Sequence, residues 1–159
     1  MASEPEMTDE QFANPLAAIP ATGRIMALDL GTKTIGVAIS DGMRYSATPL
    51  ETIKRIKFTQ DAERLLQLIS ENQIAAIILG LPLNMDGSEG PRVQSTRAFA
   101  RSLAQKTTLP IAFWDERLST SAVTRMMIEA DLRRDRRAEV VDKLAASYIL
   151  QGALDRLRR

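Results

Sequence analysis

The 159-residue sequence contains neither cysteine nor histidine. Without cysteine there are no disulfides, no zinc–thiolate sites and no thiol nucleophile, which fits a reducing compartment. Without histidine the commonest general base, every Ser-His or Cys-His pair and all imidazole metal sites are excluded. Hydrolytic chemistry in this chain therefore falls to carboxylates, lysine or a hard metal ion. Aromatic residues are few, with four Phe, two Tyr and one Trp. Platforms on which bases stack are correspondingly scarce, so any nucleic acid is expected to be recognised by shape and backbone. No apolar run approaches the roughly 20 residues needed to span a bilayer. The first residues lack the basic start and apolar centre of a signal peptide. The expectation is a cytoplasmic protein without a membrane partner.

What is present is an ordinary globular composition, 45% hydrophobic and 26% charged, long enough for one domain with a sizeable core. The net charge of +1 is unevenly spread. Residues 1–23 hold Glu4, Glu6, Asp9 and Glu10 and no basic residue; removing these four acids from the 20 leaves 21 basic against 16 acidic residues, a net of +5. The remainder is mildly basic, which permits a polyanionic partner. With Pro5, Pro15 and Pro20 and no clean period, residues 1–23 read as a disordered acidic leader. Phe12, Leu16 and Ile19 are its candidates for a docked turn. Residues 24–159 read as the folded domain.

From Arg24 the punctuation is clear. Residues 24–30 and 35–40 read as strands around a Gly31–Thr34 turn, Asp41-Gly42 is a hairpin signal, and 43–53 reads as a third strand broken near Pro49. Apolar residues at helical spacing then predict a helix over 58–72. The near-continuous apolar run 74–80 predicts a strand buried on both faces. A Gly/Pro-rich loop, "LPLNMDGSEGP", is suited to offer backbone amides to phosphate or to act as a flap. A helix over 92–106, a strand over 109–116, a helix over 120–130 capped by Ser119 or Thr120, a basic connector "DLRRDRR" and a helix over 138–157 complete the pattern. The order predicts an α/β domain whose five-stranded mixed sheet joins an antiparallel meander to parallel strands and is flanked by helices.

Three places carry unexplained acids. Asp29 interrupts the apolar strand "RIMALDL" just before Gly-Thr-Lys, as a turn cap or a reactive carboxylate. Asp142 shares a helical face with Ala138, Ala145, Ala146, Ile149 and Ala153 and has Glu139, Ala145 and Ala146 as helical neighbours. A carboxylate in such a stripe needs compensation from outside its own helix. Asp115 and Glu116 end the fifth strand in "WDERLST"; alternation allows one of them to face a shared site, and pattern alone does not choose. Acids from strand ends and one helix, in a chain without histidine, suit an oxygen-loving cation such as Mg²⁺ or Mn²⁺. Such ions clamp phosphodiesters.

In that order, "LDLGTKTIGVAISD", "ILGLPLNMDGSEGPR", "WDERLST" and "VVDKLAASYILQGAL" resemble the YqgF (RuvX) family of Holliday junction resolvase-like, pre-16S rRNA nucleases over about residues 24–157. The resemblance implies a ribonuclease H-like fold and a metal-dependent phosphodiesterase that processes the 5′ end of the 16S rRNA precursor. It implies Asp29, Glu116 and Asp142 as catalytic residues and metal ligands, choosing Glu116 over Asp115. It leaves room for a DNA-junction endonuclease acting on branched DNA, and for a maturation factor that binds RNA or protein without cutting. Many relatives read Lys-Arg where this chain has Lys33-Thr34, and the acid that related resolvases place after the fourth strand has no counterpart. "DLGTKTIGVA" also resembles the phosphate-binding segment of the actin and sugar-kinase group, whose members enclose nucleotide between two such domains.

Lys33, Arg92, Arg97, Arg117 and Lys143 are the candidate contacts to the nucleic-acid backbone, expected of structured RNA above all. The expected assembly is a monomer or a weak homodimer.

Overall fold

A computed structural model describes residues 19–118 and 137–157, with the side chains of the last helix described from Lys143 onward. Five strands, β1 (Arg24–Leu30), β2 (Thr34–Ser40), β3 (Ala47–Lys54), β4 (Ile74–Leu81) and β5 (Ile111–Asp115), form one sheet in the order β3-β2-β1-β4-β5. β1, β2 and β3 pair antiparallel, and β1-β4 and β4-β5 pair parallel. This is the expected meander joined to parallel strands. The parallel strands are reached through helices α1 (Phe58–Glu71) and α2 (Pro91–Ala104), and the chain ends in α3 (Arg137–Leu157).

β1 is central, so both of its faces are buried and its sequence is apolar throughout apart from Arg24 and Asp29. Met26, Leu28 and Leu30 point to one core, built with Leu65 and Leu68 of α1 and Val93, Phe99 and Leu103 of α2. Ile25 and Ala27 point to the other, where Ala146, Ile149, Leu150, Ala153 and Leu154 of α3 cover the sheet. The alanines anticipated on the Asp142 face, Ala145, Ala146 and Ala153, are buried, and small side chains let that helix approach the strands closely. Ile19, from the leader, lies partly buried against this second core.

Several boundaries differ from the sequence expectation. The third strand begins at Ala47 rather than residue 43, and Asp41-Gly42 opens a longer loop instead of a two-residue hairpin. The Asp41 carboxylate accepts the amide N–H groups of Tyr45 (2.8 Å) and Ser46 (2.9 Å), and Arg44 takes a positive φ of 61°. Side-chain bonding to backbone thus replaces ladder pairing over these residues. The break near Pro49 is a bulge: Val37 pairs with Glu51 and Ala38 with Pro49, leaving Leu50 over. β3 is an edge strand, where a residue without an N–H is tolerated. The fifth strand spans Ile111–Asp115, and Glu116 starts a 3₁₀ turn, Glu116–Leu118. The helix expected over 120–130 and the basic connector through residue 136 lie outside the described residues.

Candidate active site

Asp29 is 2% exposed near the carboxyl end of β1. By strand alternation it shares the face of Ile25 and Ala27, which is the face covered by α3. Both neighbouring strands offer a glycine beside it. Gly36 of β2 is its antiparallel partner, and Gly80 of β4 follows Leu79, the partner of Leu28. A Cβ at Gly80 would stand 2.7 Å from Oε1 of Glu116 and 2.6 Å from Cδ1 of Ile149. The Glu116 carboxylate therefore folds back over the end of β4 on the α3 face.

The structure also separates the two acids that pattern left open. Trp114 belongs to the α3-side core and Phe113 to the other. Asp115 follows the Phe113 face, where its carboxylate receives the Arg117 guanidinium (Nη2–Oδ2 2.7 Å) and the Arg117 amide (2.9 Å). Glu116 lies instead on the side of Asp29. Asp142 belongs to α3, one turn before Ala145 and Ala146; its side chain lies outside those described. Among the described residues no group of three acids gathers.

Carboxylate oxygens at the ends of β1 and β5, the two strands that flank β4, could form a donor set for a hard cation in a chain without histidine or cysteine. The residues present fit such an ion: the missing Cβ of Gly80 makes the berth that the Glu116 carboxylate fills. Asp29 and Glu116 are the two described acids that could hold it.

The turn after Asp29 is fixed from two directions. The Gly31 N–H donates to the Thr34 carbonyl (2.8 Å). Arg92 Nη2 donates to the Leu30 carbonyl (3.3 Å) and Arg55 Nη1 to the Gly31 carbonyl (2.7 Å).

The five anticipated cations sit in different settings. Lys33 is exposed in the turn after β1. Arg92 reaches that same turn from α2. Arg97 is paired with Glu89. Arg117 is held by Asp115, which raises its pKa, and its Nη1 donates to the Met85 carbonyl (3.3 Å). Lys143 is half-buried in α3. The loop expected to offer amides is closed on itself. The Asn84 N–H donates to the Ser88 carbonyl, the Gly87 N–H to the Asn84 carbonyl, and the Ser88 N–H to the Asp86 carboxylate. These three amides are thus committed within the loop.

Sequence reasoning passed over Arg55 and Lys57. A readable signal was present: "RIK" separates a strand end from a helix start, where a cation meets a helix N-terminus instead of being offset by acids.

The mixed sheet in the order β3-β2-β1-β4-β5, with helices on both faces and acids at the carboxyl ends of β1 and β5, defines a ribonuclease H-like α/β protein. A solved structure, Thermus thermophilus RuvC in complex with a Holliday junction substrate, matches the fold with a TM-score of 0.54 at 14% identity, covering 84% of this chain and 94% of that one. The chain belongs to the RuvX family: the model described as "Holliday junction resolvase" matches residues 23–156. A relative from Cereibacter sphaeroides, named "Putative pre-16S rRNA nuclease", is 62% identical over 151 residues, covering 95% of this chain and 94% of its own. One of the same name from Rhodobacter capsulatus is 65% identical over 141 residues, covering 89% of each chain.

Proposed function

We propose that this protein is a metal-dependent nuclease that hydrolyses phosphodiester bonds and processes the 5′ end of pre-16S rRNA in the cytoplasm. The observation that carries the reading is that buried Asp29 and the Glu116 carboxylate lie on the same, α3-covered face at the ends of the two strands flanking β4. The relatives' name, "Putative pre-16S rRNA nuclease", supports precursor rRNA as the substrate.

Asp29 and Glu116, together with Asp142 of α3, would hold Mg²⁺ or Mn²⁺. When bound, the cation supplies positive charge to the phosphoryl oxygens and acidifies water. Asp29 is held at its position by a turn that two arginines brace. Burial under α3 keeps bulk water from its carboxylate. Lys143, next to Asp142 in the chain, is the candidate to move a proton, since no histidine is available. Lys33 and Arg92 lie at the mouth of β1, where backbone phosphates arrive.

The test is incubation of the purified chain with precursor rRNA and Mg²⁺, with Asp29→Asn as the control. Metal-dependent shortening of the precursor 5′ end that the variant lacks is the expected result. Equal cleavage by the variant would place the chemistry elsewhere. Because the family description names junction resolution, a four-way DNA junction belongs in the same assay; preferential cutting of it would replace RNA as the substrate.

A further inference from the structure

On the other face of the sheet, a cavity of about 460 Å³ opens beside the end of β1, lined by residues that include Leu30, Gly31, Arg55, Lys57, Arg92 and Ser95. Its volume is in the range that holds a small organic ligand. Three cations face it against one acid, Asp61, whose carboxylate is buried and accepts the Ile56 N–H (3.2 Å). Elsewhere in the molecule Arg64, Arg97 and Arg117 are each matched by a carboxylate. Among the described residues, Arg55, Lys57 and Arg92 are not. Instead, Arg55 and Arg92 are oriented by the carbonyls of Gly31 and Leu30, which leaves donor capacity on each guanidinium.

The first turns of α1 and α2 both line this cavity, and neither helix has a side-chain cap at its start. Backbone N–H groups of two helices therefore add positive potential to that of the three side chains. An apolar surface sits at the same place: Ile56 is 77% exposed, and Phe58, half-buried, packs edge-on against Phe99. Cationic groups beside an apolar surface match a nucleotide, which is charged at the phosphate and apolar on the base face.

We propose that the cavity seats one unpaired nucleotide of the substrate RNA, its phosphate held by Arg55, Lys57 and Arg92, next to the bond that is cut. Leu30 lines the cavity and directly follows Asp29 in the chain, so a strand leaving the seat passes over the end of β1 onto the Asp29 face. The proposal rests on the reading of the chain as a nuclease, and it adds a requirement for single-stranded RNA beside the cleavage point.

The test uses the full chain carrying Asp29→Asn, to prevent cutting, and a fluorescent single-stranded RNA of about ten nucleotides. Dissociation constants are read by anisotropy across a salt series. Arg55→Gln combined with Lys57→Ala is expected to weaken binding about tenfold and to reduce the salt slope by about 1.4, the value for two lost phosphate contacts on a single strand. Lys106→Ala, an exposed lysine just past the far end of α2, is expected to change neither. Should the double variant fold poorly, Lys57→Ala alone, which removes a side chain with no partner in the fold among the described residues, carries half the slope change. Equal slopes in the Lys57 and Lys106 variants overturn the seat. The proposed function is scored separately: precursor cleavage by the Asp29 chain with unchanged KM in the double variant retains the nuclease and removes the seat, whereas lost RNA binding in a chain that never cuts retains the seat and removes the nuclease.

Discussion

The Glu116 carboxylate rests over the α-carbon of Gly80, so close that a methyl group there would stand 2.7 Å from Oε1. The absence of a side chain on β4 thus decides where an acid from the next strand end can lie. Gly80→Ala is expected to displace both Glu116 and Ile149, since 2.6 Å to Ile149 Cδ1 is also inside contact distance. Overpacking of this kind costs about 1–3 kcal/mol. Thermal unfolding should show that loss, and Mn²⁺ titration should show weakened affinity beyond it.

Glu116 and Asp115 are adjacent in sequence but lie on opposite faces. Glu116→Gln is expected to lower affinity for the divalent ion by more than the roughly 10–100-fold typical of outer-shell changes. Asp115→Asn breaks an exposed pair with Arg117, worth about 0.2–1 kcal/mol, and leaves metal affinity intact. Calorimetric titration of the two variants distinguishes the roles, and equal losses would show that the strand end works as a unit.

If Asp29 binds the ion, the ion stabilises the fold by mass action. Mg²⁺ at about 100 times its dissociation constant adds about 2.7 kcal/mol. The melting temperature of the wild-type chain is expected to rise with Mg²⁺ and that of Asp29→Asn to stay flat. A parallel rise in both would move the ion to another site.

Asp41 holds the loop between β2 and β3. Its hydrogen bond from the Ser46 amide, then that from Tyr45, keep its carboxyl below the ordinary value of 3.8. A carboxyl with a depressed folded pKa contributes stability above its unfolded pKa and loses it as pH falls through the folded one. Asp41→Ala is therefore expected to melt below wild type at neutral pH, with the gap closing in acid below about pH 4. A gap that is constant with pH would assign the effect to loop packing.

Much of this fold was legible because strands and helices advertise themselves by period. "RIMALDL" and "IAAIILG" read as central strands and are central, and the alanine face of the last helix is buried as its spacing required. The errors fell where side chains bond to backbone. Asp41 captures the amides of Tyr45 and Ser46 and delays β3. The chain turns at Glu116, so counting strand residues there overshoots. Asp29 stood out as an acid inside an apolar run. By contrast, the cavity between the starts of α1 and α2, and the berth that Gly80 and Ile149 leave for the Glu116 carboxylate, exist only once segments distant in sequence are brought together.

The meeting of Gly80, Glu116 and Ile149 also constrains the order of folding. β1, β2 and β3 are contiguous in the chain and can pair through short loops, which close quickly. Glu116 reaches its resting place only after β4 and β5 have joined, and α3 seals it with residues from the end of the chain. During synthesis the meander with Asp29 therefore emerges well before its companion acids. A site that needs Asp29 and Glu116 together is therefore complete only once β4, β5 and α3 have docked on the meander.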